Sequence, residues 1–269
     1  HVKVFADRHR LMARLYAAAV PLICVSVFIA TFAAIKSGIP AITRYTWDPL
    51  LADADEALFG GRAAWEVLQP WLGHPWVSWV LDGAYHVWII AFYAAALWFA
   101  LWIERPILRA HFFLAFLLSW LLLGSVAAVL MPSVGPCFYA EFYHSARFDG
   151  LMNNLHHADR VAGLKALEVQ RLLLGFYRSG DAGLGAGLSA MPSMHVSIAS
   201  LLALAAWRVS PMWGWVATMF AALIVLGSVQ LRFHYAVDGI VSLAVTPAIW
   251  WAAGEMVKLG QPRAPLKAL

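Results

Sequence analysis

Two short stretches hold the residue types that could do chemistry. "SAMPSMHVS" (residues 189–197) sets His195 behind the Pro192–Ser193 pair, at the head of an apolar run. "RFHYAVDG" (residues 232–239) sets His234 four residues before Asp238, again at the head of an apolar run. Residues four apart on a helix share a face, one turn apart. A carboxylate beside an imidazole holds one ring nitrogen as a donor and leaves the other more basic and better oriented. His234 can therefore serve as a general base or as a nucleophile. Arg232 offers a planar fork suited to phosphate oxygens. Pro192 suits a first helical turn and Ser189 or Ser193 its cap, so the free N–H groups of that turn would receive an anion. His195, in the same turn, can donate a proton to a leaving oxygen. Gly180, Gly183, Gly185 and Gly187 either let the backbone approach such a guest or form a plain flexible linker. A buried polar pair joining two helices would look the same without any chemistry, but ionisable groups inside a membrane more often mark function.

The elements that must position these residues follow from composition. Of 269 residues, 62% are hydrophobic and only 13% charged, with fourteen Trp; a soluble domain would carry about a quarter charged residues. Six apolar runs stand out: Leu15–Ile35, Trp76–Ile103, Ala110–Met131, Met191–Trp207, Met212–Gln230 and Ala236–Val257. They lack the two-residue alternation of a barrel strand, so the expectation is an all-α polytopic membrane protein, a six-helix bundle forming one domain over residues 1–269. The first run is too long for a signal-peptide core and reads as the first transmembrane helix. Two long segments, 36–75 and 132–190, interrupt the runs, the first acidic and amphipathic, the second containing the helix-like "HHADRVAGLKALEVQRLLLGFY".

Charge sets the orientation. With a cytoplasmic N-terminus, the short inner segments 1–14, 104–109, 208–211 and 258–269 collect ten of the nineteen Lys and Arg residues. These are Lys3, Arg8, Arg10, Arg14, Arg105, Arg109, Arg208, Lys258, Arg263 and Lys267. Positive loops stay inside, so both termini are expected in the cytoplasm of a bacterial inner or plasma membrane and both long segments outside. His195, His234 and Asp238 then share the outer face with Asp82, Tyr85 and His86 of the second run. The last three read as contacts to a head group or acceptor hydroxyl, or equally as a structural hydrogen-bonded cluster. His156 and His157 read as solvated, and His74 as an interfacial turn. The net charge of +4 forms no basic stripe, which excludes a nucleic-acid partner. Cys24 lies in an apolar run and Cys137 in a polar loop, so neither a disulfide nor a cysteine metal site is expected.

Pro192, Ser193 and His195 at the head of one run, then His234 and Asp238 at the head of another, resemble the type 2 phosphatidic acid phosphatase superfamily. The resemblance implies a metal-free, cofactor-free reaction through a phosphohistidine. His234 would be the nucleophile, Asp238 its orienting partner, His195 the general acid, and Ser193 with nearby amides the phosphate-holding group. Departures are specific. Gly227 and Ser228 stand where the family has Ser-Arg, and Met194 stands where it has Gly. The Lys-x6-Arg-Pro motif is absent: the Arg105–Pro106 pair falls on the inner side with Trp98 at the lysine position. Arg232, Lys165, Arg171 and Arg178 are the candidate replacements. "HYAVD" and "GPCFY" look like the inositol phosphorylceramide synthase branch, which implies transfer of a phosphorylated head group between lipids. A phosphatidate or isoprenyl (pyro)phosphate phosphatase is the alternative within the class. A proton-coupled transporter is the alternative outside it, and a non-catalytic lipid-binding relative a third.

Overall fold

A chain in hydrocarbon must satisfy every backbone N–H and C=O within itself, and the apolar runs do so as helices. The computed structural model describes residues 2–180 and 187–261, with side chains from Arg10 onward, and no strand occurs among them. Gly183, Gly185, Arg263 and Lys267 lie outside the described residues, as do the side chains of Lys3 and Arg8. The helices are α1 (Val2–Ile42), α2 (Asp48–Leu58), α3 (Ala64–Leu72), α4 (Pro75–Leu101) and α5 (Pro106–Leu130). They are followed by α6 (Asp149–Ala162), α7 (Lys165–Ser179), α8 (Met194–Val209), α9 (Pro211–Gln230) and α10 (Ala236–Leu259).

Five helices are long and apolar enough to cross a membrane: α1 from Arg10, α4, α5, α9 and α10. The fourth expected run is the shorter α8, of 16 residues. At ~1.5 Å per residue it reaches about 24 Å, less than the ~30 Å hydrocarbon core. Its ends explain the length. Ser193 caps its start by accepting from Val196 N, and Ser210 ends it while capping α9, accepting from Trp213 N with Pro211 in the first turn of α9.

The short helix is also the central one. Val196, Ile198, Ala199, Leu201, Leu202 and Ala205 are all buried, and so are Ser197 and Ser200. Lipid gives helices no hydrophobic reason to associate, so close packing and interhelical hydrogen bonds must hold the bundle. Ser197 and Thr246 share a buried hydroxyl hydrogen bond of 2.8 Å between α8 and α10. Phe99 of α4 stacks on Phe112 of α5 at 4.1 Å.

The two long segments fold differently from a simple interfacial helix each. Segment 36–75 extends α1 by two turns and then forms α2 and α3. The helix-like stretch of the second segment is two helices, because Gly163 (φ +67) ends α6 and the chain restarts at Lys165. In α5 the stretch Trp120–Ala127 widens into a π-helix, with Ser125 Oγ donating to the carbonyl of Trp120 five residues back.

Candidate active site

The heads of α8 and α10 are tied together before any side chain meets. Ser193 N–H donates to the carbonyl of Asp238 (3.4 Å), and Asp238 Oδ2 accepts from Tyr235 N (3.1 Å) to cap α10. His234 lies in the tight turn between α9 and α10, its own N–H donating to the carbonyl of Ser228. His195 lies in the first turn of α8. Their rings meet edge-on with centroids 5.9 Å apart, and both line one cavity of about 360 Å³.

The orientation of His234 is set mainly by a backbone group. Its Nδ1 lies 2.8 Å from the carbonyl of Ala190 and 3.4 Å from Asp238 Oδ2. A carbonyl can only accept, so Nδ1 carries the hydrogen and Nε2 of the neutral ring is a bare lone pair. Asp238 is therefore a second, longer acceptor, fully buried, rather than the sole orienting partner.

His195 is held by aromatic neighbours. Tyr85 stacks on it at 4.2 Å and in turn stacks on Phe233 at 5.4 Å. Trp88 lies at 4.4 Å and donates its indole N–H to the carbonyl of His195 at 3.0 Å. The Tyr85 hydroxyl is buried and has no hydrogen-bond partner among the described residues. His86 also lines the cavity, with Nδ1 against the carbonyl of Asp82 at 2.8 Å.

Five residues expected to touch substrate do not reach the cavity. Ser193 is fully buried and its hydroxyl is engaged as the cap of α8. Asp82 commits both carboxylate oxygens to the first N–H groups of α7, those of Lys165 (2.9 Å) and Ala166 (3.0 Å), and so pins the second long segment to α4. Arg171 is exposed and turns back on the carbonyl of Leu167, while Arg178 pairs with Glu141 at 2.7 Å. Arg232 (φ +71) is sealed inside; among the described residues its side chain makes one hydrogen bond, to Met152 Sδ at 3.6 Å, and its Nε and Nη2 have no partner. Burial without a carboxylate lowers its pKa to about 9.

Gly227, where the family has serine, has a steric account. A Cβ at Gly227 would lie 3.3 Å from Tyr85 Cδ2, so glycine there lets α9 close on the ring that stacks on His195. At Gly135 (φ +90) a Cβ would meet the carbonyl of Phe233 at 2.5 Å. Glycine is thus required where the loop after α5 passes beneath the His234 turn.

The first long segment braces that turn. Asp48, fully buried at the start of α2, accepts from Val134 N, Gly135 N, Tyr143 OH and Tyr235 OH at 2.8–3.1 Å. Asp55 accepts from Ala64 N and from Val237 N at the start of α10. Burial pushes both carboxyls above the ordinary range, against the pull of those donors.

Sequence reasoning missed Lys36, Trp88, Phe138 and Cys137 among the lining residues. One signal was available for Lys36. It falls on the run Ala18, Leu22, Val25, Ile29, Phe32, Lys36, Ile39, spaced alternately four and three apart, which is the inward seam of α1.

This chain belongs to the PAP2 superfamily: the family's model matches residues 50–252. Members of that superfamily are phosphatases and phosphotransferases. A PA-phosphatase related-family protein of Dictyostelium discoideum is 34% identical over 73 residues, which is 27% of this chain and 13% of that protein. The chain thus aligns with only a small part of that relative's length. No solved structure matches it.

Proposed function

We propose that the protein is a membrane lipid phosphotransferase or phosphatase that works through a phosphohistidine on the extracytoplasmic face. Its reaction is transfer or hydrolysis of a phospholipid's phosphorylated head group, in the manner of an inositol phosphorylceramide synthase. The observation that carries this reading is the 2.8 Å contact of His234 Nδ1 with the Ala190 carbonyl, which commits Nδ1–H there, on a ring that lines a cavity shared with His195.

His234 Nε2 attacks phosphorus, and the bond from phosphorus to the leaving oxygen breaks. His195 gives that oxygen its proton. The O–H of an acceptor then attacks the phosphorylated His234, the N–P bond breaks, and His195 takes the acceptor's proton back. Water as acceptor makes a phosphatase, and a lipid alcohol makes a transferase. Asp238 and the Ala190 carbonyl keep the His234 ring in register and stabilise the positive charge it develops. Tyr85 and His86 contact the head group or the acceptor hydroxyl. The cavity walls of Phe32, Ile89, Trp120 and Leu173 suit a lipid chain close to the reacting phosphate.

In this reading α8 counts as a sixth span, both termini are cytoplasmic, and the two long segments are outside. Arg14, Arg105, Arg109, Arg208 and Lys258 then gather at the inner ends of their helices, where Arg14 pairs with Glu104 and Arg109 donates to the carbonyl of Ala17.

The test is incubation of the purified protein with head-group-labelled phospholipid, with and without ceramide or diacylglycerol. A new phospholipid identifies a transferase. Free phosphate or a free phosphorylated head group identifies a hydrolase. Turnover of phosphatidate or an isoprenyl pyrophosphate alone would move the substrate class. Proton-coupled uptake into liposomes with no phosphorus chemistry would overturn the proposal.

A further inference from the structure

The cavity that holds the two histidines has a cationic side chain on its wall from a helix that the family match does not cover. The match begins at residue 50, whereas Lys36 is on α1. Its register is not accidental. Phe32, one turn earlier on the same face, lines the cavity and packs edge-on against Trp120 at 4.5 Å. Ile39, one turn later, is fully buried. Lys36 is the only charged residue on this seam of otherwise apolar side chains.

The backbone is held at the same point. Gly187 (φ +97), in the loop leading to α8, presses on α1. A Cβ there would lie 2.7 Å from the carbonyl carbon and oxygen of Lys36 and 2.8 Å from Ser37 N. No larger residue fits, and the contact ties the loop that carries Ala190 to the turn that carries Lys36.

Among the described residues Lys36 makes no ion pair and no side-chain hydrogen bond. The carboxylates that brace the two histidines and their neighbours are already engaged: Asp82 by the start of α7, Asp238 by Tyr235 N and His234, and Asp48 by its four donors. Among the described residues no other Lys or Arg lines the cavity. A half-buried charge with no partner is unfavourable, and an anion in the cavity would offset that cost through a charge-assisted hydrogen bond.

We propose that Lys36 is a substrate-binding residue that grips the anionic phosphoryl group opposite His195 and His234, so that α1 completes a site the family core leaves without a cation. The proposal rests on the phosphoryl-transfer reading above, but its test does not need turnover. Binding of inorganic phosphate to the full-length protein is measured by ligand-dependent thermal unfolding in detergent, for the wild type, Lys36→Met, Lys36→Arg and His234→Ala. Loss of one charge-assisted contact should weaken phosphate binding about tenfold or more in Lys36→Met. Lys36→Arg should recover most of it, and His234→Ala should keep binding while losing turnover.

A second measurement uses the wild-type protein alone, so it survives misfolding of the variants: inorganic phosphate should protect Lys36 from reductive methylation. Wild-type phosphate affinity in a folded Lys36→Met protein, unprotected methylation of Lys36, or no phosphate binding by the wild type would each overturn the proposal. A protein that binds phosphate through Lys36 yet turns over no lipid would instead count against the phosphoryl-transfer reading and leave this one standing.

Discussion

The edge-on approach of His195 and His234, 5.9 Å between ring centroids, is fixed by the backbone rather than by the rings. The Ser193 N–H to Asp238 carbonyl bond joins the heads of α8 and α10, and the Ala190 carbonyl, three residues before Ser193, sets the His234 ring. One side chain can thus attack while the other handles the proton, provided neither helix slides.

The two histidines should separate by leaving group. His234→Ala should lower turnover by roughly 10³-fold or more with every substrate, because the nucleophile is gone. His195→Ala should cost about 10²- to 10⁴-fold with a lipid alkoxide leaving group but far less with a nitrophenyl ester, which departs without a proton. Steady-state rates on both substrate types, with folding checked by thermal unfolding, decide it. Equal losses on both would remove His195 from the acid role.

Asp238→Asn should be milder than either. The Nδ1 hydrogen of His234 keeps its shorter partner, Ala190 O, so the tautomer survives and only the stabilisation of developing charge is reduced. A fall in kcat of roughly 10- to 100-fold, with KM near wild type, is expected. A loss as deep as that of His234→Ala would mean the carboxylate, not the carbonyl, sets the ring.

Asp48→Ala should lower stability although Asp48 does not line the cavity. Three interior donors, Val134 N, Gly135 N and Tyr235 OH, lose their acceptor, while Tyr143 OH keeps the Tyr45 carbonyl. The cost should be at least about 3 kcal/mol. A drop in the unfolding temperature that outpaces any change in KM would fit. An unchanged melting curve would show that α2 does not brace the His234 turn.

Tyr85→Phe removes a buried hydroxyl with no partner but keeps the ring stacked on His195. Stability should hold or rise by up to ~1 kcal/mol. A several-fold rise in KM is expected if the hydroxyl meets substrate. Tyr85→Ala, which also removes the stack, should lower kcat. Equal kinetics for the two variants would separate the ring from catalysis.

Much of this was legible locally. Run ends read from hydropathy fall within a residue or two of α4, α9 and α10. His195 and His234, singled out from their places at helix heads, do line one cavity, because capping and side-chain spacing are properties of neighbouring residues. Other candidates lie off the cavity for an equally physical reason. Arg171, Arg178 and Asp82 have suitable chemistry, but their partners are Leu167 O, Glu141 and the first turn of α7. Nothing near them in the chain announces the last two. The break at Gly163 was missed because a lone glycine in a helical pattern can be tolerated or can end it.

The amino-acid sequence by itself determined the helical class, since hydrocarbon leaves a non-barrel chain no other way to satisfy its backbone, and the pairing of two histidine-bearing helix heads. Tertiary structure alone decided which polar groups share a cavity. It made Ala190 O the partner of His234, sealed Arg232 away, and brought Lys36 onto the wall. Those outcomes depend on the register and depth at which one helix packs on another, and that is set by contacts such as Gly187 on α1 and Gly227 on Tyr85. No periodicity within a single segment encodes them.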